Sequence, residues 1–276
     1  MKRVVVTRPE REAQAWLKAL AAQGWDVQHL PLIHIGGAPD ASVLRAAWQD
    51  LQDSANTYQA VMFVSAAAVQ GFWTARPASA LSLFDGRAGA PRCWATGPGT
   101  RRALLAAGVP LGRVDTPPAD AGQYDSEALW AVVESHVRPG ARVLIVRGAE
   151  APVNNSDVKN TLGQGVGRDW LAQRLVMAGV AVDFVVSYVR AAPAWDATQT
   201  AVARQSATDG SVWLFSSSQA LANLQRILPG QDWSAARALA SHPRIEKAAR
   251  QAGFGWVKVV RPMLDEVIAS IESLPS

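Results

Sequence analysis

Apolar positions along this chain fall into short continuous runs separated by stretches with helical spacing. Val4–Val6 is a β-branched run that predicts a strand. Pro9 follows where a first helical residue would stand, a place that tolerates its missing N–H. Ala13, Trp16, Leu17, Leu20 and Ala21 then trace one buried helix face. Gly24 predicts the stop, Val27–Leu30 the next strand, and Pro31 its end. The same alternation predicts strands at Ala60–Val64, Arg92–Ala95, Gly112–Val114, Val143–Val146, Val182–Val186, Val212–Phe215, Ala236–Ala240 and Trp256–Val259. Helices are predicted near Ser42–Leu51, Ala67–Trp73, Thr100–Ala107, Ser126–Ser135, Asp169–Ala178, Ala194–Ser206, Ser218–Ile227, Ile245–Ala252 and Met263–Ile271. Strands that alternate with helices imply an α/β fold with parallel sheets covered on both faces. So many strands exceed one compact sheet, so two are expected.

An internal repeat supports two units. Phe63-Val64-Ser65-Ala66-Ala67-Ala68-Val69 matches Phe215-Ser216-Ser217-Ser218-Gln219-Ala220-Leu221. Thr96-Gly97-Pro98 through Val109 matches Ser241-His242-Pro243 through Phe254. Val6-Thr7-Arg8, with Gly24 and Val27 following, echoes Val146-Arg147-Gly148 with Gly179 and Val182. Three matches in one order point to a duplicated α/β unit. Two stretches read as loops: Thr116 to Tyr124, and Ala151–Gly167, which is rich in Gly and Asn without periodicity.

Composition narrows the function classes. The 276 residues are 49% hydrophobic and 18% charged, enough for sizeable cores. No apolar run is long enough for a membrane span, and Lys2-Arg3 leads into a strand rather than a signal-peptide core. The single cysteine, Cys93, excludes an intrachain disulfide and reads as a buried structural thiol in a reducing, cytoplasmic protein. A net charge of +4 with scattered Lys and Arg argues against a nucleic-acid stripe and suits a small polyanion as well as mere solubility.

Familiar catalytic constellations are absent. His29, His34, His136 and His242 have no metal-ligand spacing, and no nucleophile elbow or P-loop occurs. Gly97-Pro98-Gly99-Thr100-Arg101-Arg102, with Asp115 beyond, imitates a dinucleotide fingerprint. Arg102, however, stands where close helix–strand packing needs a third glycine. What recurs instead is small or hydroxyl residues at strand ends: Thr7-Arg8, Ser65-Ala66, Gly97 to Thr100, Ser126, Arg147-Gly148 and Ser216-Ser217-Ser218. Helix N-termini there present free N–H groups and the positive end of the dipole to anions. Two such edges forming a cleft would suit a ligand with many carboxylates, although each Ser or Thr also serves as an ordinary helix cap.

The chain resembles the uroporphyrinogen-III synthase family. The resemblance rests on Val5-Val6-Thr7-Arg8-Pro9, Leu30-Pro31-Leu32-Ile33, the Phe63 to Val69 segment, Gly97-Pro98-Gly99-Thr100, Tyr124-Asp125-Ser126-Glu127, Val143 to Gly148, Val186-Ser187-Tyr188 and Phe215-Ser216-Ser217, nearly end to end. It implies two flavodoxin-like lobes joined by a two-stranded connector. Residues 1–34 plus 191–276 would form a discontinuous lobe 1 and residues 37–187 lobe 2, with crossings near 31–37 and 187–193 and a hinge between the lobes. The implied reaction is cofactor- and metal-free closure of hydroxymethylbilane, with loss of water and inversion of its last pyrrole. Tyr188 matches the family's tyrosine at the second crossing, where a phenol would hydrogen-bond or protonate the departing hydroxyl. Thr100 and Ser216–Ser218 would bind carboxylates, with Arg8 and Arg147 as counter-charges. Thr7, Ser65, Ala66, Gly97, Ser126, Gly148 and His242 complete the expected substrate-binding set. His242-Pro243-Arg244-Ile245 departs from the family's Gly-Pro-Thr-type turn, and Ala151–Gly167 is longer than usual. The resemblance also implies a monomer with a transient contact to the preceding bilane-forming enzyme, and no nucleic-acid or membrane partner. The alternatives are a non-catalytic anion-binding module of the same fold and an NAD(P)-binding enzyme.

Overall fold

A computed structural model describes residues 3–53, 58–80, 83–85, 89–118, 120–121, 124–150 and 169–274. The Ala151–Gly167 stretch and Gln123 lie outside the described residues. In chain order the first elements are β1 (Arg3–Val6), α1 (Glu10–Ala22), β2 (Asp26–His29), β3 (His34–Gly36), α2 (Ala41–Gln52), β4 (Tyr58–Phe63), α3 (Ala66–Trp73), β5 (Arg92–Ala95), α4 (Pro98–Ala106), β6 (Val114–Asp115) and α5 (Ser126–Val133). Then come β7 (Arg142–Glu150), α6 (Asp169–Met177), β8 (Ala181–Ala191), α7 (Ala197–Thr208), β9 (Val212–Phe215), α8 (Ser218–Ile227), β10 (Arg237–Ala240), α9 (Pro243–Gln251), β11 (Trp256–Val259) and α10 (Leu264–Glu272).

The chain divides into two compact units. Met1–His34 with Ala191–Ser276 forms one, and Ile35–Arg190 the other. The sheet of the first runs β2-β1-β9-β10-β11, and that of the second β3-β8-β7-β4-β5-β6. The pairs from β2 to β11 and from β8 to β6 are all parallel. The strand count therefore resolves into two sheets, as expected. The first order is that of a flavodoxin-like sheet, with β1 first in the chain. The second has the same order if β7 is read as the first strand, so one unit is a circular permutation of the other. β3 is paired with β8, and the chain crosses between units on these two strands.

The ladders refine the repeat. Val6 pairs with Leu214, and Ile145 with Met62. Leu214-Phe215 and Met62-Phe63 are matching strand ends, so Arg8 corresponds to Arg147. This is one residue away from the sequence match, which sets Thr7 against Arg147. A gapless alignment of the two motifs cannot show this offset; the backbone spacing decides it.

Continuous apolar strands sit where both faces are covered. Val4–Val6 and Val212–Trp213 are fully buried, as are Ala60–Phe63. Aromatic rings fill the cores: Trp213, Phe215, Trp233 and Phe254 in the first unit, and Trp48, Phe63, Phe72, Trp73 and Phe84 in the second. Charged groups brace the amino ends of the strands. Arg3 reaches Asp26 at 2.7 Å and Asp209 at 2.9 Å, its counterpart Arg142 reaches Asp183 at 2.8 Å, and Arg92 holds Asp115 at 2.6 Å.

Several element bounds differ from the sequence pattern for local reasons. Gly112–Val114 is not a strand; a 3-10 turn over Leu111–Arg113 follows Pro110, and β6 begins only at Val114. α7 starts at Ala197 because Asp196 and Gln199 close a capping box. α9 starts at Pro243, the favoured first position for proline. Ala21 is exposed rather than on the buried face of α1.

Candidate active site

In an open parallel sheet, ligands bind outside the carboxyl ends of the strands, where the strand order reverses. In the first unit that point lies between β1 and β9, in the second between β7 and β4. Thr7, Arg8 and Ser216–Ser218 stand at the first. Arg147, Gly148, Ser65 and Ala66 stand at the second.

At the first point, Thr7 is 2% exposed and its hydroxyl donates to the Leu214 carbonyl at 2.6 Å, tying β1 to β9. Arg8 lies over the Trp16 ring, 4.4 Å from its centroid, with Glu12 Oε2 3.8 Å away. Glu12 and Trp16 share one side of the first turns of α1, and Arg8, just ahead of the Pro9 cap, reaches over them. Burial pushes the Glu12 carboxyl upward, and Arg8 opposes that shift. Arg8, Trp16, Phe215, Ser216 and Ser241 line a shallow cleft with an apolar floor that includes Leu214 and Leu239. Ser217 caps α8, its hydroxyl accepting from Gln219 N at 3.2 Å, and Ser218 opens that helix. His242 caps α9 in the same way, Nδ1 accepting from Arg244 N at 3.1 Å. The departure at His242–Ile245 thus preserves a helix cap without a hydroxyl.

At the second point, Ser65 caps α3 by accepting from Ala68 N at 3.1 Å, and Ala66 is the first helical residue. Ser65 Oγ lies 3.1 Å from the Tyr188 hydroxyl. Tyr188 belongs to β8 opposite Gly148 of β7, one step beyond a register shift between Arg147 and Gly148. Arg147 pairs with Val186 and Gly148 with Tyr188, so Ser187 is an extra residue on the bulged strand. Consecutive residues Ser187 and Tyr188 are therefore both buried, and both reach α3 or its cap. The Ser187 hydroxyl donates to Ala68 O at 3.1 Å, and Tyr188 meets Ser65. A Cβ on Gly148 would fall inside the Tyr188 ring, and one on Gly71 would strike the Ser187 carbonyl.

Arg147 is 7% exposed and lies over Phe184, 4.4 Å from the ring centroid. Phe184 faces Ile145 on the ladder, a diagonal neighbour of Arg147 on the same face. Both counterpart arginines are thus stacked on an aromatic ring. Gly97 caps α4 with Tyr124 Cβ 3.1 Å from where a side chain would start, and Thr100 is 5% exposed within the helix. The expected Ser126 cap needs correction: Ser126 is already helical, and Asp125 is the cap, accepting from Ala128 N at 2.8 Å. A carboxylate then occupies the N-terminus of α5 and makes it a poor seat for an anion. Asp115, the acid of the apparent dinucleotide fingerprint, is gripped by Arg92 at two contacts of 2.6 Å.

A family profile described as uroporphyrinogen-III synthase HemD matches residues 14–261. The chain belongs to the uroporphyrinogen-III synthase family. Its activity class is accordingly that of a cyclising lyase of porphyrin biosynthesis. Among solved structures, it is similar to uroporphyrinogen-III synthetase from Helicobacter pylori, at 13% identity over 100% of both chains with a TM-score of 0.57. It is also similar to a mutant uroporphyrinogen III synthase from the extremely thermophilic bacterium Thermus thermophilus, at 17% identity over 99% of this chain and 98% of that one, TM-score 0.54. At such identities the likeness speaks for the fold. Among the described residues, no helix is long and apolar enough to cross a membrane.

Sequence reasoning missed Trp16 and Phe184 as arginine platforms, Asp125 as a cap, and the pairing of Ser65 with Tyr188. The 12-16 spacing at the start of α1, with Arg8 close ahead of it, was a usable signal for the first. Nothing local in the sequence joins Ser65 to Tyr188.

Proposed function

We propose that this synthase converts hydroxymethylbilane to uroporphyrinogen III, with loss of water and inversion of ring D, and that the Ser65–Tyr188 pair stands beside the departing hydroxyl. The observation that carries this reading is the 3.1 Å contact between those two hydroxyls at the strand-order reversal of β7 and β4. A pyrrole nitrogen lone pair expels the hydroxyl and leaves an azafulvene. The substituted carbon of the last ring attacks it, and the spiro intermediate fragments and recloses with that ring inverted. The protein's share is to hold the bilane and its carboxylates in a reactive geometry, which is catalysis by positioning. Arg8 and Arg147, stacked and held in place, supply counter-charges at the two edges. Amide groups at Ser65–Ala66, Gly97, Gly99, Thr100, Ser216–Ser218 and His242 supply further donors. The working form is a cytoplasmic monomer that receives the labile bilane by transient contact with the enzyme that makes it.

Purified protein incubated with freshly generated hydroxymethylbilane should yield type III product well above the spontaneous type I background. Type I product alone would leave only a non-catalytic anion-binding module. Tyr188→Phe should lower turnover with the fold unchanged by circular dichroism, and an undiminished rate would remove Tyr188 from the mechanism.

A further inference from the structure

We infer that Ser65, not Tyr188, is the hydroxyl that touches the departing group, and that Tyr188 is a positioning residue acting through it. This rests on the proposed synthase reaction. Tyr188 is only 3% exposed and is enclosed by β7 and α3, whereas Ser65 is partly exposed at the sheet edge.

The direction of the hydrogen bonds follows from counting. A serine hydroxyl has two acceptor sites and one donor proton. One acceptor site on Ser65 takes the Ala68 N–H at 3.1 Å. Ser65 is the partner found for the Tyr188 hydroxyl among the described residues. A phenol, with a pKa of about 10, is a better donor than an aliphatic alcohol. If Ser65 donated to Tyr188, the phenolic proton would be left buried without an acceptor, a costly arrangement. Tyr188 therefore donates, both acceptor sites of Ser65 are filled, and the serine proton points outward. Ser187 and Gly148 fix this arrangement. The extra residue in β8 turns Tyr188 toward the cap, and the missing side chain at Gly148 leaves room for its ring.

In the reaction, the C–O bond of the hydroxymethyl group breaks with its electron pair going to oxygen. The pyrrole nitrogen lone pair replaces it at carbon, and the proton lost from that nitrogen completes the water released. The Ser65 hydrogen bond stabilises the negative charge developing on the leaving oxygen, the role of a fixed donor in a preorganised site. Two donors on its own oxygen polarise Ser65 and strengthen that bond.

The test compares steady-state kinetics of the wild type, Ser65→Ala, Ser65→Thr, Tyr188→Phe and the Ser65→Ala/Tyr188→Phe double variant, with hydroxymethylbilane as substrate. Ser65→Ala should lower kcat about a hundredfold with little change in KM. Ser65→Thr should recover most of it. Tyr188→Phe should lose only several-fold, and the double variant should be no slower than Ser65→Ala, because the phenol has no route except through the serine. Should Ser65→Ala not fold, Ser65→Gly, which retains capping ability, replaces it. Losses that multiply, a Tyr188→Phe defect as large as that of Ser65→Ala, or a Ser65→Ala effect confined to KM would each overturn the inference while leaving the synthase reading intact. A wild type that makes no type III product would instead reject that reading, and the inference with it.

Discussion

At the scale of single residues, two positions carry sharp consequences. Gly148 is conspicuous for what it omits: a methyl group there would occupy the Tyr188 ring. Gly148→Ala should cost about 1–3 kcal/mol, the usual penalty for overpacking, and should lower turnover along with it. Urea denaturation and the bilane assay on one preparation would check both. Glu12 carries the second. Its carboxyl is pushed above its ordinary 4.5 mainly by burial. An acid whose pKa is higher folded than unfolded favours the protonated fold, so its ionised form subtracts from stability at neutral pH. Glu12→Gln should therefore raise the melting temperature at pH 7, and the gain should vanish as pH falls through the carboxylate range. A drop in melting temperature at pH 7 would mean that the contact with Arg8 outweighs burial. The sequence showed part of this. Glu12 and Trp16 share a helical spacing that can be read directly, with Arg8 just ahead of the helix, while Arg147 over Phe184 needs the strand register and so could not be found from one strand alone.

At the scale of elements, caps matter more than periodicity. Asp125, not Ser126, starts α5, and Asp125→Ala should cost about 1 kcal/mol of stability, measurable as a shift in the chemical-denaturation midpoint. Ser126→Ala should not reproduce that loss. Val212–Phe215 and Ser218–Ile227 were legible to the residue because an unbroken apolar run and a serine cap mark their limits, and Arg92–Ala95 because Pro91 precedes its arginine and Thr96-Gly97-Pro98 follows its apolar run. β7 was not. Its apolar run stops at Val146, yet pairing continues through Arg147-Gly148-Ala149-Glu150 alongside β8. β3 escaped notice because His34-Ile35-Gly36 is too short to show alternation. The bulge that turns Tyr188 toward Ser65 is likewise invisible in the sequence, since it is a mismatch between two strands far apart in the chain.

At the scale of the whole molecule, the repeat announced two α/β units, and the ladders show that they are permuted copies of one strand order. Repeats report similarity; they do not report where in the cycle each copy begins. The second unit is continuous from Ile35 to Arg190, whereas the first is split around it. A fragment spanning Ile35–Arg190 should therefore fold cooperatively alone, as judged by dispersed amide NMR signals. A fragment ending at His34 holds β1 and β2 without the central β9 and should stay unfolded. The split also imposes a timetable during synthesis. β1 and β2 leave the ribosome before the whole second unit and have no β9 to lie against until Val212–Phe215 emerges. The β1–β2 segment thus waits, apolar and uncovered, while the second unit between it and β9 matures, and it is there that a chaperone would find a long-lived target.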